Sequence, residues 1–500
     1  MSKDVKSTMP PVTRSHDPSS SGPPMSKSEV ARVERYYSKN RGYHDELERF
    51  YTFAIPAGAR VLELGCATGR LLAAVQPAYG VGIDLDDEKI RAARAIHEGH
   101  KELTFLTADV ENPGAVFDYD TLGLFDYVIL SDLLGMLKDV QATLTLVRRV
   151  CTPSTRIVLN VHSNIYAPIL ELAAALGQRE PLRGDNWLSV DDMKALLRLS
   201  GFEPVVVTGR ILLPKHIPLV SDVANRVLAK LPGLHLASWA WFIVARPLPP
   251  KRDLTGKHAP SVSVVVPTLD EKGNIEGAFA RTAPMGSWSE LVFVDGGSKD
   301  GTVEEIERCR VVFKDKWPRV KVLRQSKKGK GNAVREAFDA CEGDVLMILD
   351  SDLTMPPEDL PKYYEAIVTG KGELINGVRL VYKMEDEAMR FLNMLANHFF
   401  GRLFSYLLDQ SVKDTLCGTK VLWKRDYDEI AANRAYFGDF DPFGDFDLLF
   451  GAARLHKKIL DLPIRYRART YGDIKISRFK HGALLFAMSG VAFRKLKLNT

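Results

Sequence analysis

The stretch GDVLMILDSDLTMPP, residues 343–357, sets an unbroken apolar run, Val345 to Leu349, directly before Asp350-Ser351-Asp352 and a Pro-Pro turn. A short apolar run bounded by turn residues reads as a strand buried on both faces, as in the parallel sheets of α/β proteins. Two carboxylates one residue apart at the end of such a strand repel each other, and burying either without a partner is costly. Something positive is therefore expected beside them. Two upstream stretches end in the same way. SVSVVVPTLDEKGNIEG (261–277) is β-rich and turns polar from Pro267 to Asp270, and ELVFVDGGSKDGT (290–302) closes its apolar run with Asp295 before a Gly-rich turn. Three strands thus bring acids toward their carboxyl ends, where open parallel sheets bind ligands.

A chain of 500 residues exceeds one ordinary core, so two domains are expected. Apolar runs alternate with helical patterns over residues 28–246 and again over 261–480, giving two α/β units without internal repeats. Between them PLPPKRDLTGKHAP (247–260) is proline-rich, charged and aperiodic, which marks a linker. Residues 1–27, rich in Ser and Pro, read as a disordered tail rather than a targeting peptide. The net charge of +5 is mild and no base-reading motif is present, so no nucleic-acid partner is expected. Five scattered cysteines without a CxxC pair suggest free thiols in a reducing compartment. No window reaches the roughly 20 apolar residues needed to span a bilayer. A cytoplasmic location follows as the expectation.

In the first unit, ARVLELGCATGRLLAAV (59–75) reads as strand, Gly-bearing turn and helix start, with Gly65 and Gly69 permitting close approach of a ligand. A second strand, GVGIDLDDEKIRAARA (80–95), presents Asp84 about 20 residues on, a spacing that suits the two hydroxyls of a ribose. With LTADVEN (106–112) and FDYVILSDLLGMLKDV (125–140), the set resembles the class I S-adenosylmethionine-dependent methyltransferases, with a Rossmann-like fold. The resemblance implies that Glu63, Gly65 and Gly69 contact the methionine part of S-adenosyl-L-methionine, Asp84 the ribose and Asp109 the adenine region. Ala67 stands where that family often has Gly, which costs little unless the position needs a positive φ. His162 and Tyr166 read as packing residues, and the methyl acceptor stays unassigned. The alternative is a non-catalytic module that binds cofactor or a partner.

The second unit resembles the family 2 glycosyltransferases, inverting enzymes of GT-A fold, through VVVPTLDE, VDGGSKDGT and DSD in that order. The resemblance implies a Mg2+ or Mn2+ ion held by Asp352, Asp350 facing the ribose or sugar, Asp295 meeting the base, and Pro267 to Asp270 flooring the nucleoside. A hard cation with oxygen ligands would stabilise the departing nucleoside diphosphate of a nucleotide-sugar donor. Gly296 stands where many relatives carry a second Asp. SKKGKGNAVREAF (326–338), VKDTLCGTKVLWKRDY (412–427) and PIRYRARTYGDIKIS (463–477) further resemble polyprenyl-phosphate sugar transferases. There Lys330 and Arg335 would neutralise phosphate oxygens, and Arg469, Lys475 and Ser477 would close over the diphosphate. Thr419 stands where relatives often have an aromatic residue. Asp445 and Asp447 fall in the acidic motif. With a hydroxyl acceptor one of them is the candidate general base; with an ionised phosphate they would orient groups instead. The acceptor is accordingly a polyprenyl phosphate or, as the alternative, a glycan hydroxyl.

From Arg454 to Lys497 the charges are basic apart from Asp461 and Asp473, and residues 481–500 read as a basic amphipathic C-terminal helix. With MRFLNMLANHFFGRLFSYLL (389–408), this predicts peripheral contact with an anionic membrane at the inner face of the cell membrane.

Overall fold

The computed structural model describes residues 25–114, 117–168, 172, 176, 186–250, 256–379, 391–438, 444–467, 469, 471 and 478–498. The chain divides into two compact units between Leu248 and Pro249.

The first unit begins with helices α1 (Lys27–Lys39) and α2 (Arg41–Ala54). It continues as β1 (Arg60–Leu64), α3 (Arg70–Ala74), β2 (Tyr79–Asp84), α4 (Asp87–Ile96), β3 (Leu103–Thr107) and β4 (Phe125–Ser131). Then come α5 (Val140–Val147), β5 (Cys151–His162), α6 (Val190–Leu199), β6 (Phe202–Arg210), α7 (Val220–Arg226) and β7 (Ala240–Pro247). The sheet order is β3-β2-β1-β4-β5-β7-β6. Strands β3 to β5 run parallel, and β7 lies antiparallel between β5 and β6. Successive side chains of a strand point to opposite faces. Leu62 and Leu64 accordingly join one core layer with Val128, Leu130, Ile157 and Leu159, while Val61, Ile129 and Val158 join the other with Phe50 and Tyr51 of α2. The chain leaves β1 for β2 and β3 on one side and returns to β4 and β5 on the other. This creates a switch point with a crevice at the carboxyl ends of β1 and β4.

The second unit runs β8 (Val262–Thr268), α8 (Lys272–Arg281), β9 (Ser289–Asp295), α9 (Thr302–Val312), β10 (Val320–Arg324), α10 (Lys330–Ala340) and β11 (Val345–Ile348). It continues with α11 (Leu360–Val368), β12 (Leu374–Val378), α12 (Phe391–Leu408), β13 (Lys420–Trp423), α13 (Lys424–Ala432), α14 (Asp445–Arg454), β14 (Ile459–Pro463) and α15 (Arg478–Ala492), which ends in a π-helical stretch, Phe493–Leu498. The order β10-β9-β8-β11-β13-β12-β14 puts four parallel strands beside β13, which is antiparallel to both neighbours. All four residues of β11 are buried, and Leu349 after it is buried too. Both units are thus α/β with mixed sheets. The cysteines are all free thiols. Among the described residues no helix is long and apolar enough to cross a membrane.

The core of the second unit is stacked on Phe293 of β9, whose ring lies 5.0 Å from that of Phe279 on α8, both fully buried. Replacing Phe293 with Ala leaves a cavity between sheet and helix. The expected loss is about 3–5 kcal/mol, read from the denaturant midpoint of the full chain.

Candidate functional site

In the first unit a cavity of about 1300 Å³ is lined by Glu63, Gly65, Asp84 and Asp109, together with Tyr43, Asp132, Asn160 and His162. Strand order explains the gathering: β1, β2, β4 and β5 all deliver their carboxyl ends here. Glu63 is 2% exposed and its Oε2 has no hydrogen-bond partner. Burial pushes its carboxyl well above the usual range, with Leu72 N–H opposing and Asp84 adding to the rise. Asp84 braces the turn, accepting from Ala67 N at 2.8 Å and from Asp86 N at 2.9 Å. Ala67 sits at φ +48, so the position does occupy the left-handed region that favours glycine. Asp109 accepts from Glu111 N at 2.9 Å and Asn112 Nδ2 at 2.8 Å, and these bonds hold its carboxyl below the usual range. Gly69 does not line the cavity. Its φ is +70, and a Cβ there would run into the Phe105 ring, so it serves packing. Tyr166 donates to Ala237 O at 2.7 Å and lies against Trp239, but His162, read from sequence as packing, faces the cavity.

In the second unit the loops after β8 and β9 are knitted together. Gly296 N donates to Thr268 O at 2.8 Å, Asp270 N to Ser298 Oγ at 2.9 Å, and Lys299 N to Asp270 Oδ1 at 2.7 Å. Pro267 lies within β8 opposite Val294. The buried Asp295 carboxylate accepts from Gly297 N at 2.9 Å and Ser298 N at 3.2 Å, so it shapes the Gly-rich turn. The acids of the opening stretch each meet a base. Lys330 Nζ donates to Asp350 Oδ1 at 2.6 Å. Burial disfavours the Asp350 charge, but Lys330, then Lys420 and Arg379, outweigh it and hold the carboxyl below its usual range. A Cβ on Gly418 would collide with the Asp350 carboxylate and with Lys330 Nζ, so a side chain there would displace this pair.

Asp352 Oδ1 accepts from Thr354 N at 3.1 Å and Thr354 Oγ1 at 2.8 Å, and Oδ2 from Arg469 Nη2 at 3.0 Å. The same Arg469 nitrogen is 3.3 Å from Glu271 Oε1. Glu271 is buried, at the start of α8, and sequence reasoning passed over it although it belongs to the TLDE motif. Arg335 does not join this cluster: its Nε is 3.5 Å from Asp447 Oδ2, which also receives Arg434 Nε at 2.6 Å. Asp445 opens α14 after Gly444, whose αL turn packs on Gly331. The Asp445 side chain, Lys475 and Ser477 lie outside the described residues.

Comparison with known proteins assigns both units. Residues 34–207 match the family described as a methyltransferase domain, and residues 263–430 match glycosyl transferase family 2. The chain carries a methyltransferase domain and a family 2 glycosyltransferase domain. The relatives of the glycosyltransferase domain include dolichol-phosphate mannosyltransferase of Pyrococcus furiosus, 32% identical over 43% of this chain and 59% of that protein. Another is undecaprenyl-phosphate 4-deoxy-4-formamido-L-arabinose transferase of Pseudomonas fluorescens, 32% identical over 45% of this chain and 63% of that protein. The chain therefore spans less than two thirds of the length of either. Glucosyl-3-phosphoglycerate synthase from Mycobacterium tuberculosis, solved in complex with Mn2+, UDP and phosphoglyceric acid, is 20% identical over 48% of this chain and 80% of that one, with a TM-score of 0.36.

In the glycosyltransferase domain Asp414 is fully buried and clamped by Arg379 through Nε at 2.7 Å and Nη2 at 2.8 Å. Burial opposes the Asp414 charge, yet Arg379 holds its carboxyl below the usual range. The folded value is the depressed one. The pair's stabilisation is therefore complete above the unfolded value of about 3.9 and fades as pH falls through the folded value. Asp414→Asn leaves Arg379 buried without its counter-charge, with an expected cost of about 3–5 kcal/mol at pH 7, shrinking in acid, by denaturant titration at several pH values.

Glu63 behaves in the opposite sense. Its folded value is raised, so the protein loses stability as pH rises above the unfolded glutamate value of about 4.3. In the methyltransferase domain Glu63→Gln is accordingly expected to raise the melting temperature at pH 7, read by calorimetry without ligand.

Proposed function

We propose that the glycosyltransferase domain transfers a sugar, with inversion, from a nucleotide-sugar donor to a polyprenyl phosphate, and that the methyltransferase domain moves a methyl group from S-adenosyl-L-methionine. The observation that carries the first part is the strand-end cluster of Asp350, Lys330, Asp352, Glu271 and Arg469 in a domain whose relatives act on dolichol and undecaprenyl phosphates. Asp352 and Glu271 offer carboxylate oxygens on either side of one positive group, a donor set that suits Mg2+ or Mn2+. Such an ion, when bound, would stabilise charge on the departing nucleoside diphosphate. Lys330 and Arg469 are placed to add their positive charge to it. The Pro267–Asp270 and Asp295 turns would bound the nucleoside.

The fate of Asp447 bears on the acceptor. Two guanidiniums share its carboxylate, which suits it to hold α10 and α13 against α14 rather than to withdraw a proton. A phosphate acceptor is already ionised at neutral pH and needs no strong base, which favours the polyprenyl phosphate over a glycan hydroxyl. Leu395 and Phe399 of α12 and Phe486 of α15 are exposed, with Phe486 5.9 Å from Phe399 and the exposed Arg402 on α12. An apolar tip beside basic residues supports peripheral binding at an anionic membrane. Asp352→Asn should abolish Mn2+-dependent transfer from a panel of nucleotide sugars to a short polyprenyl phosphate; unchanged turnover would refute the metal role. Flotation with anionic liposomes should carry the chain upward, and a chain left at the bottom refutes the membrane contact.

In the methyltransferase domain, the buried Glu63 with an unpartnered oxygen is the feature that calls for a cationic ligand. S-Adenosyl-L-methionine, when bound, supplies an amino group for Glu63 and an activated methyl. Binding that ionises a protonated Glu63 releases a proton, so affinity should rise with pH up to the raised folded value of that carboxyl. Glu63→Gln should weaken binding about 10- to 100-fold, the value of a hydrogen bond to a charged group. Calorimetric titration of the full chain in buffers of different ionisation heat reads both effects, and no heat at all refutes the cofactor.

A further inference from the structure

The methyltransferase cavity has a second polar wall that the cofactor reading leaves unused. Asp132 follows β4 with φ +51, Asn160 and His162 end β5, and Tyr43 comes from α2. Tyr43 Oη is 2.9 and 3.0 Å from the two Asp132 oxygens, and Asn160 Nδ2 donates to Asp132 Oδ1 at 2.5 Å. Asn160 is fixed in turn, its Oδ1 accepting from Tyr51 Oη at 2.8 Å and Ser131 Oγ at 2.9 Å. A non-glycine residue in the left-handed region persists only where its surroundings impose it. Here they hold one carboxylate toward one imidazole: His162 Nε2 is 3.8 Å from Asp132 Oδ1, and Nδ1 is 3.5 Å from Tyr43 Oη.

We propose that His162, positioned by Asp132, is the general base of the methyltransferase domain and that its methyl acceptor is a hydroxyl compound. The proposal rests on the reading of this domain as an S-adenosyl-L-methionine-dependent enzyme. Glu63, Gly65, Asp84 and Asp109 come from the β1, β2 and β3 side of the switch point, whereas Asp132, Asn160 and His162 come from the β4 and β5 side. The two walls therefore meet where a cofactor and a second molecule would react. A cavity of about 1300 Å³ exceeds the roughly 300–1,000 Å³ of an ordinary small-molecule site, so it has room for both.

The acceptor class follows from what the second wall contains. A hydroxyl is a poor nucleophile until its proton is withdrawn, while an amine attacks through its own lone pair. A site for an amine needs a carboxylate facing the ligand. Here the Asp132 carboxylate is engaged by Tyr43 and Asn160, and its charge acts on the His162 ring. A carboxylate 3.8 Å from the ring acts on it through its charge and favours the protonated imidazolium. In the step, the acceptor oxygen forms the new C–O bond, the C–S bond breaks with its electron pair going to sulfur, and the hydroxyl proton goes to His162. Titratable groups near this wall include His44, Glu48 and Tyr51 on α2, Tyr37 on α1, Glu63 on β1, Arg70 on α3 and Lys215 after β6. Burial lowers His44, with Asp132 opposing, and raises Tyr51, so neither competes for the proton.

The test uses the full chain, methyl-labelled S-adenosyl-L-methionine and, as probes, methyl hexosides and their 2-amino-2-deoxy counterparts, with the labelled atom located by NMR. Label on oxygen is expected. His162→Gln should lower kcat/KM about 10²- to 10⁴-fold, the usual contribution of a general base. Asp132→Asn should move the rising limb of the pH profile, and the NMR titration of the His162 ring, to lower pH. S-Adenosylhomocysteine binding, measured by calorimetry, should stay within about twofold in both variants, well under the tenfold that 1.4 kcal/mol represents. Label on nitrogen, label on neither probe, or an unmoved His162 titration in Asp132→Asn overturns the proposal. Failure of the unsubstituted chain to bind S-adenosylhomocysteine overturns instead the cofactor reading on which it rests.

Discussion

Buried carboxylates must find positive charge or hydrogen-bond donors, and the glycosyltransferase domain is organised around that demand. Asp350 meets Lys330, Asp352 meets Arg469, Asp414 meets Arg379, and Asp447 meets Arg335 and Arg434. The partners arrive from α10, from the end of β12, from after α13 and from beyond β14, so neutralising these acids ties those later segments together. At one point glycine helps, since a Cβ on Gly418 would push into the Asp350–Lys330 pair. The methyltransferase domain solves its own crevice differently. It leaves Glu63 buried with an oxygen unpartnered and concentrates its internal hydrogen bonds on the opposite wall.

The two units therefore present contrasting electrostatics at equivalent places in their sheets. One holds several charges already paired, Asp350 with Lys330 and Asp352 with Arg469. The other offers a single carboxyl held out of its usual range by burial, which gains on meeting a cation. Each arrangement suits the charge of the ligand proposed for its domain, an anionic diphosphate in one case and a cationic sulfonium compound in the other.

Much of the architecture could be read from the amino acids because the signals are local. The run Val345 to Leu349, the strand–turn–helix pattern around Gly65, and the acids closing β2 and β9 are short-range features with fixed periods. What sequence could not give were groups assembled from distant segments. Tyr43, Asp132 and His162 belong to a helix and two strands far apart in the chain, and only the switch in strand order joins them. His162 accordingly looked like a core residue. Arg335 reads from its basic turn as a phosphate ligand, and the contact that α14 adds, Asp447 at 3.5 Å, could not be read from sequence. Glu271 was hidden for another reason: lying in a motif whose other residues stand out, it shows its link to Arg469 only when the last loops fold back. Ala67 could have been weighed either way until its backbone angle was known.

The clamp between Arg379 and Asp414 has a consequence for how the glycosyltransferase domain comes apart. Arg379 donates to Asp414 through its side chain and through its own backbone N–H at 3.1 Å, and its guanidinium lies over the Tyr466 ring at 5.3 Å. Asn376 adds a bond to the Asp414 carbonyl at 3.0 Å and another to Asp461 at 2.7 Å. The end of β12, the loop before β13 and the segment after β14 are thereby tied at one buried knot. None of them can open to solvent without exposing the others' charges, so their amides should exchange hydrogen as one cooperative block rather than as three fraying loops.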